Sequence, residues 1–228
     1  MQGFAQGWRS DPAQAGGGNT IDGGTHWVRA LRVWMGEVDR LVAINERPFK
    51  ARRPPPPPPC RPLPALCASP HRVRMRPQAM AGESLTHAIL RFSSGKSASF
   101  DCLVVDAPLS KQPFFQIQGS LGEIVLEGAF EGGMKLVTAE HPEGQVIESD
   151  PTGAGQRGFL HSYAPQLEDF GRAVRDGTPL AASAEFSVGE VAVITAMYRS
   201  GESSAWEEVW GGEAGAPPAQ QPRTQPRQ

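Results

Sequence analysis

Asp22 and His26 stand four residues apart in GGGNTIDGGTHW, residues 16–27, a stretch with five glycines that runs directly into VRALRVWMGEV. If a helix has begun by Ile21, both side chains lie on one face, one turn apart. A carboxylate placed there can accept a hydrogen bond from one imidazole nitrogen, fix the tautomer and ring angle, and leave the other nitrogen as general base or acid for a substrate hydroxyl. The same residues also have a purely structural reading. Asp22 then complements the helix dipole, Asn19 or Thr20 caps the helix, and His26 is a partly buried polar side chain. Clustered glycines lose much conformational freedom on ordering, so they imply close backbone approach to something or unusual dihedral angles. The expectation is that a ligand is crowded at this helix entrance. Arg9, ahead of the glycines, and Asn19, within them, are the candidate substrate contacts, with a solvated strand-end side chain as the other reading of Arg9.

The pattern predicts a helix over 19–35, with Val28, Leu31, Val33 and Trp34 toward a core and an end near Gly36. A strand at 41–45 follows. Further strand-like runs lie at 86–92, 98–105, 114–118, 123–126, 134–138 and 145–147, with SSGK at 93–96 and SLGE at 120–123 as hairpin turns. Helices are expected at 162–175 and 187–200, and a last short strand at 206–210. Phe170, Val174, Val188, Val191, Ile194 and Met197 are spaced for core packing. One helix, a run of strands and two helices make an α+β fold, an open, mainly antiparallel sheet with helices on one face. The other sheet face needs a partner.

The expected organisation is 1–47 as the start of this domain, 48–80 as a disordered insert, 81–210 as the remainder and 211–228 as a disordered tail. The insert has six consecutive prolines at 54–59 and no acid, and proline runs lack the donors a sheet interior needs. Within it, Cys60, Cys67 and His71 have no established metal spacing, and Arg52, Pro55 and Pro58 match a proline-module ligand that low-complexity runs also produce by chance. A net charge of −2 gives no general argument for nucleic acid or membrane surfaces, and no apolar run approaches the ~20 residues of a membrane helix. Three cysteines without regular spacing fit a reducing, cytoplasmic setting.

WRSDPAQAGGGNTIDGGTHWVRALRVWMGEVDRLVAI, followed in order by GESLTHAILRFSSGKSASFD, FFQIQGSLGEIVLEG, LEDFGRAVRDGTPL and VAVITAMYRSGESSAWEEV, resembles the substrate-side domain of the glucose-fructose oxidoreductase, inositol dehydrogenase and rhizopine-catabolism (Gfo/Idh/MocA) family. The resemblance runs from about Gly7 to about Trp210. It implies that His26 exchanges the proton of a sugar, polyol or related hydroxyl while a hydride moves to or from C4 of a nicotinamide, and that Asp22 orients His26 or grips a neighbouring hydroxyl. It also implies NAD or NADP as cofactor, no metal, and homo-oligomers formed through the sheet face.

Departures from the family pattern limit what carries over. Many relatives have a second acid three residues after the histidine, where this chain has Arg29, read either as a change of substrate choice or as a surface arginine. Gly153, Gly155 and Gly158 form the one Gly-x-Gly-x-x-Gly, without the strand context of a phosphate loop, and read as a connector. Glu46, Arg47 and Pro48 imitate the family's Glu-Lys-Pro but follow the histidine, and arginine does not exchange protons as lysine does, so they read as a strand end. The expectation is a substrate half whose N-terminal Rossmann domain is absent, not catalytic alone. The alternative is a non-catalytic dimerisation or binding module derived from such an enzyme.

Overall fold

The computed structural model describes residues 8, 11–47, 82–103, 113–128, 133–147, 163–212 and 215–217. In chain order the elements are α1 (Pro12–Ala15), a π-helical turn (Thr20–Gly24), α2 (Thr25–Met35), β1 (Val38–Glu46), β2 (Leu85–Phe92), β3 (Ser97–Leu103), β4 (Phe115–Gly119), β5 (Gly122–Leu126), β6 (Met134–Thr138), β7 (Gln145–Ile147), α3 (Tyr163–Asp176), α4 (Ala184–Ser203) and β8 (Glu207–Glu208). They fall into two compact units, residues 1–106 with 184–228, and residues 107–183. The 48–80 segment lies outside the described residues.

Among the described residues every strand pairing is antiparallel, as the alternating sequence pattern predicts. The strands form two four-stranded sheets, β3-β2-β1-β8 and β4-β5-β6-β7, where a single meander was expected. Alternation marks a strand and its inward face, but says nothing about where a ladder stops. In the first unit, Leu41 and Ala43 of β1, Thr86, Ala88, Leu90 and Phe92 of β2, and Phe100 and Cys102 of β3 are buried. α2 and α4 supply the other side of that core through Val28, Leu31, Phe186, Val193, Ile194, Ala196 and Met197.

Several residues assigned to the core by spacing lie elsewhere. Val33 and Trp34 are 50% and 37% exposed, because the inward stripe of α2 runs through Val28, Leu31 and Arg32 and the 100° step per residue carries positions 33 and 34 off it. On α4, Ile194 and Met197 are buried as expected, whereas Val188 and Val191 are about half exposed; they lie on the side opposite Phe186, Glu190, Val193 and Met197. Phe170 and Val174 of α3, in the second unit, are 57% and 72% exposed. The helix has the predicted amphipathic stripe, but propensity for an apolar face does not supply the surface that covers it.

Candidate functional site

The glycine cluster is held by a residue far away in sequence. Glu83, just before β2, is buried, and its carboxylate accepts the N–H of Gly18 at 2.8 Å and the N–H of Thr20 at 2.9 Å. Its main-chain carbonyl accepts the N–H of Asn19 at 3.0 Å. Tyr198 of α4 donates its hydroxyl to the same carboxylate at 3.0 Å. Burial, and secondarily the Glu83 charge, push the Tyr198 phenol well above its ordinary range, so it stays a hydrogen-bond donor. The packing leaves no room for side chains at Gly17 and Gly18. A Cβ on Gly17 would overlap the Tyr198 ring, and one on Gly18 would stand 2.5 Å from the Glu83 amide nitrogen. The crowding read from the sequence is therefore present, but the neighbour at Gly17 and Gly18 is the protein's own core instead of a ligand.

Asn19 does not cap the helix. Its side-chain amide donates to Cys102 Sγ at 2.9 Å, while the Thr20 hydroxyl lies 2.6 Å from that of Thr86. Thr86 in turn donates to Asn45 Oδ1 at 2.8 Å, and the Asn45 amide donates to the Met197 carbonyl at 2.8 Å. Cys102 is a buried free thiol, raised to about 11 chiefly by burial, with the Glu83 charge adding to it. A thiol so placed stays protonated and unreactive at neutral pH.

Asp22 sits half-buried within the π-helical turn, and His26 is exposed in the first turn of α2, its ring 6.2 Å from that of Trp27 in an edge-on arrangement. Single π turns inserted in helices recur at functional sites, because the extra residue re-aims the side chains that follow. The hydrogen bonds among the described residues do not include one between Asp22 and His26. Arg9 lies outside the described residues. Two open hollows of about 480 and 580 Å³ have other linings, the larger one including Asp39, Arg40, Arg91 and Trp210.

Arg29 joins a cluster between α2 and α4. Its guanidinium donates to Ser187 Oγ at 3.0 Å and lies 3.4 Å from Glu190 and 5.0 Å from the centre of the Phe186 ring. Beside it Arg32, with its side chain fully buried, forms two 2.8 Å bonds to Glu37, a 2.5 Å bond to Glu190 and a 2.8 Å bond to the Phe186 carbonyl. Two arginines face two carboxylates, so the cluster carries no surplus charge to recruit an ionic ligand. Sequence reading missed both Glu83 and this cluster. Apart from Arg32 and Glu37, which are five residues apart, their partners are distant along the chain.

The described residues do not fit a dinucleotide. Their strands are all antiparallel, without a βαβ unit, and the glycine-rich N–H groups that could cradle a phosphate already bind Glu83. No group of three potential metal ligands occurs among the described residues, and no described helix is long and apolar enough to cross a membrane.

The sequence matches the model of a family described as the oxidoreductase family, C-terminal alpha/beta domain, over residues 1–209. An uncharacterized oxidoreductase of Rhizobium meliloti is 30% identical over 139 residues, 56% of this chain and 37% of that protein. A levoglucosan dehydrogenase, solved with NADH and levoglucosan, superposes with a TM-score of 0.65 at 16% identity, over 91% of this chain and 54% of the other. An aldose-aldose oxidoreductase from Caulobacter crescentus, complexed with glycerol, gives 0.63 at 19% identity, over 90% and 52%. The chain thus spans about half the length of these solved structures. With the glycine loop, the helix it opens and the antiparallel sheet behind them accounted for, the chain belongs to the Gfo/Idh/MocA oxidoreductase family and carries its C-terminal alpha/beta domain.

Proposed function

We propose that this chain forms the substrate side of an oxidoreductase acting on a sugar, polyol or related hydroxylated small molecule. His26 exchanges the proton of the reacting hydroxyl, and Asp22 orients the imidazole or holds a neighbouring hydroxyl. The observation that carries this reading is an exposed histidine one turn beyond an acid, on a helix whose start is locked into the core. The relatives solved with levoglucosan or glycerol support a hydroxylated substrate. The hydride would pass to NAD or NADP held by a dinucleotide-binding half outside the described residues, and Arg9 and Asn19 remain the proposed substrate contacts.

Saturation-transfer NMR with glycerol, D-glucose and levoglucosan as probes tests the binding step. We expect millimolar binding by the full chain and a roughly tenfold loss in His26→Ala and Asp22→Asn, the effect of one hydrogen bond involving a charged group. Binding that ignores both substitutions would discard the substrate role.

A second reading is a non-catalytic dimerisation or binding module derived from such an enzyme. Both readings use the outer face of the first sheet, which we propose pairs with a second copy. Arg40 lies opposite Arg91 at one end, Val42, Ile44 and Ile89 fill the centre, and Glu46 and the exposed pair His87 and Asp101 lie toward the other end. A two-fold axis through the centre would bring the basic end of each copy over the acidic end of the other, with an apolar patch between them. Sedimentation should show a dimer, and Ile44→Lys should raise its dissociation constant at least tenfold; a wild-type monomer at high concentration would refute the pairing.

A further inference from the structure

We infer that Glu83, assisted by Tyr198, is the positioning residue that sets which way the Asp22 and His26 turn faces; the inference rests on the proton-handling reading above. Three successive N–H groups at the helix start, those of Gly18, Asn19 and Thr20, all donate to this one residue. Helix starts ordinarily satisfy such donors with their own N-cap side chain or with water. Here Asn19 forms no capping bond and is turned to Cys102, so Glu83 takes over the role from across the fold.

The residue it grips, Thr20, opens the π-helical turn. Thr20 is held twice, by its N–H to Glu83 and by its hydroxyl to the Thr86, Asn45 and Met197 chain. Tyr198 ties the clamp to α4. Where the π turn begins determines the rotation of everything after it, since moving one residue along a helix rotates a side chain by about 100°. A shift of the start by one position would therefore turn Asp22 and His26 together away from the direction they now face. Glu83 itself does not touch the substrate in this reading; it acts through the helix start.

The test uses the full chain labelled with 15N-histidine. The two ring nitrogen shifts of His26, assigned through His26→Gln, report its tautomer ratio above pH 8, and hydrogen exchange reports the Gly18 and Thr20 amides. Asp22→Asn should change the tautomer ratio about twofold, the size of a helical i,i+4 pair. Glu83→Gln should change it in the same sense and by a similar factor, and should speed exchange of the two amides roughly 30-fold. Tyr198→Phe should act in the same direction but less. Leu90→Ala, a buried substitution in β2 that destabilises the same core, should leave the ratio unchanged. A response to Asp22→Asn but none to Glu83→Gln overturns the positioning role and leaves the acid and histidine pair standing. No response to Asp22→Asn overturns the inference and removes the orienting role of Asp22, leaving only the reading in which it holds a substrate hydroxyl. Should Glu83→Gln fail to fold, Tyr198→Phe decides, and an unchanged ratio in that variant overturns the inference.

Discussion

Replacing Gly18 by alanine will cost the first unit about 3 kcal/mol of stability, the upper part of the range for forcing extra atoms into a packed interior. The added methyl would meet the main chain of Glu83 and its carboxylate at once, and a main chain cannot swing aside as the end of a flexible side chain can. Moving the loop outward to relieve the overlap would lengthen the Gly18 and Thr20 hydrogen bonds to a buried carboxylate, leaving it short of donors in a place water does not reach. Chemical denaturation followed by circular dichroism measures the loss. Gly171 in α3 is the control, since it has an ordinary backbone angle and nothing within 4 Å of an added Cβ. Alanine there should be neutral or stabilising by up to about 1 kcal/mol. A Gly18→Ala variant within about 1 kcal/mol of wild type would show that the loop does not lie against Glu83 as described.

Arg32→Met will cost about 3–5 kcal/mol, because it leaves Glu37 and Glu190 buried without the cation they share. The loss should depend on pH. Burial already raises the Glu190 carboxyl above its ordinary range, against the opposing charges of Arg32 and Arg29. Without Arg32 it rises further, so the folded variant binds a proton that the unfolded chain has released. A folded-state value above the unfolded one means stability that is present below the unfolded carboxylate range near pH 4 and is lost as pH rises through the folded value. The deficit of Arg32→Met relative to wild type should therefore be smaller at pH 5 than at pH 8, measured by urea denaturation at each pH. An equal deficit at both would mean that the carboxylates find other partners. Because Phe186 stacks on the guanidinium with its ring centre 4.0 Å away, methionine keeps part of the apolar contact, and the measured loss reports mainly the charges.

The periodic parts of the fold were legible in the residues. Alternation in LTHAILRF and SASFDCL placed β2 and β3 within one or two residues of their observed ends, because a side chain's direction on a strand depends on nothing beyond its own backbone. The spacing of Asp22 and His26 gave the candidate proton-handling pair in the same local way. The π-helical turn between them and the core was not legible, since the register of a helix start is set by whatever accepts its first N–H groups, and that acceptor lies beyond β1 at Glu83.

The chain's residues alone determined the antiparallel strands, the helices and the family to which their order belongs. Tertiary structure decided which apolar residues became core. It put Arg32 where Trp34 was expected, because three carboxylate and carbonyl partners converge on that guanidinium from Glu37, Phe186 and Glu190. It also decided that the glycines at 17 and 18 close on Tyr198 and Glu83. Contacts of that kind join positions remote along the chain, so they exist only once the sheet and α4 have brought them within a few ångströms.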